Sequence, residues 1–307
     1  MKKLMLIFFL GFTLVGFSQT TEIPDPNFEQ ALIDLGYDNA PINGSVPTAN
    51  VSEVTLLEVY DKNISSLDGI EDFTALNYLS CFDNQLTSLD VTNNAALIQL
   101  NCSGNQLIFL DVSQNTTLTD LVCNTNQLTS LNISQNTALT DLACVDNQLT
   151  SLDLSNNAAL TYLEFQTNQL TSLDVSQNTN LTFLNCINNQ LTSLDVSNNT
   201  ALTYLTCRFN QLTSLDVSQN NILTALDCIN NQLINLDVRN GNNTNFNIFY
   251  STFNSDLICI FVDDADWSAT NWINIDPTST FVNDEAECDI LSLGDNLLVL
   301  DVNIYPN

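Results

Sequence analysis

Residues 202–222 read LTYLTCRFNQLTSLDVSQNNI, and this segment decides the fold because it recurs along the chain at a constant spacing. We number its positions 1 to 21 from Leu202 and call each repeat a coil. Leucine fills positions 1, 4, 11 and 14 in eight successive coils over residues 76–243. Position 9 is asparagine in all eight coils, and position 6 is cysteine in seven of them, with Phe165 in the other. A looser and slightly longer coil, 54–75, precedes this array.

A coil of this kind cannot fold alone, because its inward apolar side chains would have nothing to pack against. Stacking coils supplies both burial and hydrogen bonds between strands, so the pattern predicts a solenoid. Inward and outward residues alternate around Leu-x-Cys in the first half of a coil and around Leu-Asp-Val in the second, which predicts a short parallel strand in each half. We therefore expect a repeat solenoid of short parallel β-strands in two sheets, with little helix.

The pattern LxxLxCxxNxL at this spacing resembles the leucine-rich repeat, and the resemblance covers residues 54 to about 243. The two similar halves, LTxLxCxxNQ and LTSLDVSxNTA, resemble the bacterial IRREKO-type subclass found in secreted Bacteroidetes proteins. The resemblance implies a leucine-rich repeat stack with a binding role. It also implies that the sheet carrying the LxxLxLxxN motif is the ligand face.

Both flanks of the array have the composition of caps. Residues 19–53 contain Asp25-Pro26, a set of apolar residues at helical spacing and then Gly36, which predicts one short amphipathic helix in an N-terminal cap. The repeat stops after Asn243. Residues 244–290, which hold the two tryptophans and two cysteines, are expected to form a C-terminal cap similar to those that follow such repeats in related proteins.

The two ends of the chain carry targeting signals. Residues 1–18 combine two lysines with an apolar stretch too short to span a membrane comfortably, which is typical of a secretory signal peptide; a short N-terminal anchor helix is the alternative. Residues 304–307 read IYPN and resemble the opening of the C-terminal sorting domain of the Bacteroidetes type IX secretion system; an ordinary chain end is the alternative. We interpret residues 291–307 as a linker and the truncated start of that domain. The expected location is secreted or cell-surface, or periplasmic if the chain truly ends at Asn307.

Composition excludes several function classes. Aspartate and glutamate total 35 against 5 lysines and arginines, for a net charge of −30, so binding to nucleic acid or to anionic membranes is not expected. The chain has no histidine, which removes Ser/His and Cys/His catalysis and histidine-ligated metals. Its carboxylates recur as a ladder and do not converge on a cleft, so we expect neither an enzyme nor a cofactor. No segment after the signal peptide is long and apolar enough to predict membrane insertion.

The cysteines fall into two groups. Seven occupy position 6, where the alternatives are small buried hydrophobic residues or a redox or metal ladder. The first is favoured, because neighbouring parallel strands hold their Cβ atoms about 4.8 Å apart, farther than a disulfide requires. Phe165 at the same position also suits packing. Cys259 and Cys288 remain, and we expect them to form a disulfide in an exported protein.

The second half of each coil presents a ladder of acidic residues. Position 15 reads Asp90, Asp111, Asn132, Asp153, Asp174, Asp195, Asp216 and Asp237. Such like charges must be relieved by solvent, raised pKa values, serine and threonine neighbours or cations. One carboxylate per coil supplies few of the roughly 6–8 oxygens that calcium takes, so a solvated face is favoured over calcium sites and no metal site is predicted.

Outward positions of the first half vary, which is where a repeat protein can place function. The spacing puts Tyr162, Phe183 and Tyr204 on one outward column, with Arg208 and Phe209 beside it. Such a strip resembles a contact surface for a protein or a cell-surface glycan, although an aromatic ladder that only stabilises the sheet is the alternative. The sequence thus predicts a secreted or cell-surface leucine-rich repeat protein that binds a protein or glycan through this face. A structural or adhesive acidic rod without a discrete ligand site is the alternative.

Overall fold

A computed structural model of the chain describes residues 19–291. Those residues form a stack of coils whose first halves align in a parallel sheet of ten strands. The strands of this sheet are β3 (Leu56–Glu58), β4 (Tyr78–Ser80), β5 (Gln99–Asn101), β6 (Asp120–Val122), β7 (Asp141–Ala143), β8 (Tyr162–Glu164), β9 (Phe183–Asn185), β10 (Tyr204–Thr206), β12 (Ala225–Asp227) and β14 (Ile248–Tyr250). The prediction of a parallel-strand solenoid with little helix is confirmed.

The register of this sheet follows the repeat of the sequence. Tyr204 pairs with Phe183, and Phe183 pairs with Tyr162, so each residue meets the same position of the adjacent coil. Every position of the coil therefore forms a column along the stack. The leucines at positions 1, 4 and 11 and the position-6 residues are buried in all eight coils, which makes one continuous core.

The seven position-6 cysteines are free, buried thiols in that core. Their sulfurs make at most weak contacts to the next coil; for example, Cys186 Sγ donates to the Thr206 carbonyl at 3.4 Å. Burial raises the pKa of Cys102, Cys144 and Cys186 to about 12, and that of the other four above its usual range. The column therefore consists of packed apolar residues whose thiols stay protonated.

We expect these seven thiols to resist iodoacetamide in the folded protein, because the reactive thiolate is absent and the sulfurs are out of solvent. Mass spectrometry after treatment at about pH 8 should find all seven unmodified, and all seven modified after unfolding in guanidinium. Alkylation of any one of them in the folded protein would contradict the described packing.

The asparagine at position 9 forms hydrogen bonds between adjacent coils. Asn147 Nδ2 donates to the carbonyls of Cys144 in its own coil and Cys123 in the preceding coil, at 3.2 and 3.0 Å, and Oδ1 accepts from Leu128 N at 3.0 Å. The same pattern repeats in the other coils, and the side chain is 8% exposed in each. Asparagine is required here because donor and acceptor both point into the buried turn.

A second asparagine ladder runs along position 19. Asn157 Nδ2 donates to the carbonyls of Ile133 and Asn136 in the preceding coil, at 3.1 and 2.9 Å. The residue is fully buried, and its Oδ1 has no partner in the described structure. The equivalent asparagines repeat this arrangement, so half of each amide at position 19 binds the neighbouring coil and the other half is unsatisfied.

Position 8 turns the chain in the left-handed region in every coil. Thr125 and Thr167 have φ of 52° and 57°, whereas the same position holds Asn188 and Asn230 in other coils and Gly104 in one. A β-branched side chain is strained at positive φ, but asparagine tolerates it. The coils with threonine therefore contain avoidable backbone strain.

We expect Thr125→Asn to stabilise the fold by about 1 kcal/mol, because the strain is relieved while the backbone N–H still donates to Val145 O. Thermal unfolding should show a Tm rise of about 2–4 °C. The matched control is Thr129→Asn, an exposed threonine without positive φ, which should leave Tm unchanged. A fall in Tm for Thr125→Asn would contradict the strain argument.

The predicted second sheet forms only toward the C-terminal end. There β11 (Ser214–Asp216), β13 (Asn235–Asp237), β15 (Cys259–Phe261) and β16 (Thr280–Val282) pair in parallel. Earlier coils contribute only isolated bridges from Asp111 to Asp90 and to Asn132. Like charges meet at position 15 both in the isolated bridge of Asp90 with Asp111 and in the regular pair of Asp216 with Asp237, so charge does not decide where this sheet is regular. The expected second sheet is thus present, but as regular strands it is confined to the C-terminal coils.

The N-terminal end is closed by a small mixed cap. Its elements are β1 (Thr20–Glu22), α1 (Pro26–Asp34), β2 (Ser45–Pro47), α2 (Thr48–Val51) and, after β3, a 3₁₀ turn (Ile70–Asp72). The side chain of Asp25 caps α1 by accepting from Phe28 N, and its other oxygen accepts from Ser65. These contacts lower the pKa of Asp25 despite opposing partial burial, and they tie the predicted helix to the first coil.

The stack continues beyond residue 243, where the sequence repeat stops. Phe249 in β14 pairs with Leu226, a longer step than the regular spacing, and Asn254 repeats the position-9 hydrogen bonds to Cys228 O and Leu233 N. A 3₁₀ turn (Asn243–Asn245) and α3 (Ala265–Asn271) complete this end, and residues 285–291 are helical. The segment predicted as a cap thus begins as further coils of different length. The predicted signal peptide and residues 292–307 lie outside the described residues.

Candidate functional site

Three aromatic side chains form a stack on the outward face of the ten-stranded sheet. Tyr162, Phe183 and Tyr204 occupy the first residues of β8, β9 and β10. The ring centroids of Tyr162 and Phe183 are 4.5 Å apart and those of Phe183 and Tyr204 are 4.6 Å apart, with interplanar angles of 10° and 7°. All three are partly buried. The sequence placed these residues in one column, and the structure brings their rings into contact.

The facing ring surfaces of the stack cover one another, so both faces of Phe183 and one face of each tyrosine are in contact with a neighbouring ring. Burial, with a hydrogen bond to Glu164, raises the pKa of Tyr162 well above its usual range. Burial and the nearby Asp227 and Glu164 carboxylates raise the pKa of Tyr204. Both phenols therefore keep their protons at neutral pH, and a protonated phenol can donate a hydrogen bond as well as accept one.

Arg208 and Phe209 lie in the turn directly after β10. The Arg208 guanidinium carbon is 4.8 Å from the Phe209 ring centroid, and one terminal nitrogen is 3.5 Å from Asp227 Oδ2. Arg208 Nε has no hydrogen-bond partner among the described residues. Burial raises the pKa of Asp227, and this effect exceeds the opposing influence of Arg208. The ion pair between Arg208 and Asp227 is therefore weak.

Phe209 occupies the left-handed position 8, with φ of 56°. The backbone at this position is set by the coil, since the other coils share it. The left-handed turn directs the side chain away from the core, and Phe209 is 40% exposed. We call Tyr162, Phe183, Tyr204, Arg208 and Phe209 the aromatic surface. Arg208 follows Tyr204 by four residues and contacts Asp227 on β12, the strand that pairs with β10, so the turn lies beside the stack.

A second aromatic stack was missed in the sequence. Tyr60 and Phe82 occupy position 7 of the first two coils, with ring centroids 4.6 Å apart and an interplanar angle of 6°. The signal was available in the sequence, because Tyr60 and Phe82 are each the seventh residue of their coils, which begin at residues 54 and 76. The pair lies at the other end of the same sheet.

Hydrogen bonds within each turn stabilise the charged side chains of the acidic ladder. In each coil the position-15 side chain accepts a hydrogen bond from the backbone N–H two residues later, as Asp111 does from Ser113 N at 2.9 Å. These bonds from serine and threonine lower the pKa of the carboxylate in five coils: Asp90, Asp111, Asp153, Asp174 and Asp195. No group of three or more potential metal ligands occurs among residues 19–291. The sequence left open several ways of reducing the repulsion between these carboxylates. Of these, the structure shows hydrogen bonds from serine and threonine.

Cys259 and Cys288 form a disulfide with a Cα–Cα distance of 5.9 Å. It joins β15 to the helical residues 285–291 at the C-terminal end. Arg239 reinforces the same junction, since its guanidinium contacts Asp237 and Glu285 and lies 4.8 Å from the Phe261 ring centroid. None of the helices within residues 19–291 has the length and hydropathy needed to cross a bilayer.

Comparison with solved structures gives relatives of the same architecture. The functional domain of InlJ from Listeria monocytogenes, described as containing a cysteine ladder, is 30% identical, with a TM-score of 0.51 over 86% of this chain and 70% of that one. The internalin InlF from the same organism is 22% identical, with a TM-score of 0.68 over 85% and 75% of the two chains. A leucine-rich repeat protein of Leptospira interrogans is 20% identical, with a TM-score of 0.64 over 81% and 72%.

No protein-family model matches the sequence, and no curated protein matches it either. InlF and the Leptospira protein show the fold alone at their level of identity. InlJ goes further, because it is 30% identical and this chain covers 70% of its length. The chain therefore belongs to the leucine-rich repeat proteins, with the cysteine-ladder domain of InlJ as a relative.

Proposed function

We propose that this chain is a secreted or cell-surface interaction protein that binds another protein through the aromatic surface. The observation that carries the proposal is the stacked column of Tyr162, Phe183 and Tyr204 at an outward position where the fold does not require aromatic residues. Gln99 and Asp120 occupy the same position in the same sheet. Partly exposed aromatic residues beside an arginine are typical of the residues that dominate protein interfaces.

The geometry favours a protein over a glycan. Sugar rings bind aromatic side chains by stacking on an open ring face, but both faces of Phe183 and one face of each tyrosine are covered by the neighbouring ring. What the stack leaves uncovered are ring edges, phenol groups and one face of each tyrosine, which adjoins Asp141 beside Tyr162 and Ala225 beside Tyr204. The Arg208 side chain is 36% exposed. A partner that fits presents apolar side chains with carbonyl or carboxylate acceptors between them, as a polypeptide does.

The proposed role is binding without catalysis and without a cofactor. The proposed location, outside the cytoplasm, rests on the signal-peptide pattern of residues 1–18, the resemblance of residues 304–307 to a type IX sorting signal and the Cys259–Cys288 disulfide. Such a bond persists in oxidising compartments and is rare in the cytoplasm.

The test is a capture experiment with a matched set of variants. The protein is applied to an array of purified secreted and cell-surface proteins and to a glycan array, beside a Tyr162→Gln/Phe183→Gln/Tyr204→Gln variant. Glutamine already occupies this column at Gln99, so the variant should fold. The control is Phe82→Ser, which removes the other aromatic stack and installs the residue found at Ser103.

We expect the wild type and the Phe82→Ser control to bind the same protein with equal affinity, and the triple variant to bind about 100-fold more weakly. Equal binding by the triple variant would contradict the assignment of the surface. Binding confined to the glycan array would contradict the choice of partner class.

A structural or adhesive acidic rod is the second candidate. It is favoured by the ladder of position-15 carboxylates, which occur in seven of the eight coils and place negative charge along that face of the stack. If no array member is captured by any of the three proteins, this second function is preferred.

A further inference from the structure

An apolar groove lies on the side of the solenoid formed by the second halves of the first coils, away from the aromatic surface. Its volume is about 490 Å³. The buried side chains of Leu67, Ile70 and Leu89 line it, and Ile108 and Phe109 border it. The two bordering residues are 64% and 62% exposed, so they project a large apolar area into solvent.

Ile108 and Phe109 break the repeat at positions that otherwise hardly vary. Positions 12 and 13 are Thr-Ser in six of the eight coils: 87–88, 129–130, 150–151, 171–172, 192–193 and 213–214. The coil therefore folds with threonine and serine at these positions. An isoleucine followed by a phenylalanine here adds nothing to the core, because both side chains point outward. Their presence in one coil beside a groove indicates that they contact another molecule, because the fold itself does not need them.

The rim of the groove is acidic. Asp68, Glu71, Asp90 and Asp111 line it, and among the described residues no lysine or arginine does. Thr92 and Ser113 hold the pKa values of Asp90 and Asp111 below their usual range through hydrogen bonds, so these two carboxylates are ionised at neutral pH. The groove thus combines an apolar interior with a border of negative charge.

Charge complementarity decides what can occupy such a groove. A second copy of this chain is a poor occupant, because it carries the same net charge of −30 and would be repelled. Residues 19–291 contain only the cations Lys62, Arg208 and Arg239, and both arginines already contact carboxylates. The complementary partner must supply its own positive charge together with an apolar side chain.

We propose that this groove is a second binding site, which takes a basic amphipathic segment of another protein. An apolar side chain of the segment packs against Leu89, Ile108 and Phe109. Flanking lysines or arginines reach the carboxylates at the rim. The site is independent of the aromatic surface, since it lies in other coils and on the other half of each coil.

The test uses a defined probe, an acetylated octapeptide of alternating leucine and lysine. Its affinity for the full chain is measured by isothermal titration calorimetry at physiological salt. The variant Ile108→Thr/Phe109→Ser restores the residues found in other coils, so it keeps the fold. The matched control, Ile234→Thr/Asn235→Ser, makes the same restoration in the last regular coil, where Ile234 is 56% exposed.

We expect the groove variant to bind the peptide about tenfold more weakly and the control variant to bind it as the wild type does. Asp68→Asn/Glu71→Gln should also weaken binding. An alternating serine–lysine peptide and an alternating leucine–glutamate peptide should both bind poorly to the wild type.

Three results would overturn the proposal. Equal affinity of the groove variant and the wild type would show that the peptide binds elsewhere. Equal binding of the serine–lysine peptide would mean that general attraction to an acidic protein explains the result. Equal binding of the leucine–glutamate peptide would show that the charge assigned to the partner is wrong.

Discussion

Replacing Asn147 by alanine is expected to destabilise the fold by about 4 kcal/mol. The substitution removes the 3.0 Å hydrogen bond from Leu128 N to Asn147 Oδ1 and leaves that buried donor unsatisfied. It also removes the amide bonds to the carbonyls of Cys123 and Cys144, which lie inside the turn. Because a coil is stable only against its neighbours, a defect in a central coil weakens both adjoining interfaces.

The same substitution at Asn157 in the second ladder should cost only about 2 kcal/mol. Its Nδ2 bonds to Ile133 and Asn136 are lost, but the carbonyls of both still accept a backbone N–H. The substitution also removes an amide oxygen that has no partner in the described structure. Asn156→Ala, at an exposed neighbouring position, serves as the control and should change stability little.

Urea unfolding followed by circular dichroism measures all three variants. We expect the order Asn147→Ala, then Asn157→Ala, then Asn156→Ala, from the largest loss of unfolding free energy to the smallest. A larger loss at Asn157 than at Asn147 would mean that the unsatisfied oxygen of the second ladder is satisfied in solution.

Removing the disulfide with Cys259→Ser/Cys288→Ser should cost about 3–4 kcal/mol. The bond closes a loop with a sequence separation of 29 residues, so its loss frees the unfolded chain and favours unfolding. In the folded state it attaches residues 285–291 to β15, the strand that covers β13. Its loss therefore weakens the C-terminal end of the stack first.

A reducing agent provides the matched control for the disulfide. Treatment with a phosphine should lower the Tm of the wild type to that of the double variant and leave the variant unchanged. The seven other cysteines are free thiols already, so reduction does not affect them. A wild-type Tm that is insensitive to reduction would contradict a stabilising bond in the protein.

Most of the fold could be predicted because the repeat is strict. Leucines at four fixed positions define an inward face, and the constant spacing of the coils fixes the register that pairs Tyr162 with Phe183 and Phe183 with Tyr204. The extent of the second sheet could not be predicted in the same way. Its triplet has the alternation of a strand in every coil, so the repeat does not distinguish the C-terminal coils that pair regularly from the earlier ones that form only isolated bridges.

Departures from the repeat limited the prediction of the ends and the site. Phe249 replaces the expected leucine in a coil of different length, so the sequence pattern stops before the solenoid does. The aromatic column was visible because it stands on a variable position. The groove residues Ile108 and Phe109 were visible as exceptions to Thr-Ser, but their importance depends on the neighbouring Leu67 and Ile70, which only the structure brings together.

Hydroxyl-radical footprinting of the protein with and without its captured partner tests the central claim most directly, because it reports the solvent access of individual side chains. We expect reduced oxidation of Tyr204 and Phe209 in the complex, with Phe253, which is 71% exposed in another part of the stack, unchanged. Unchanged oxidation of Tyr204 and Phe209, with protection elsewhere, would contradict the assignment of the aromatic surface as the binding site.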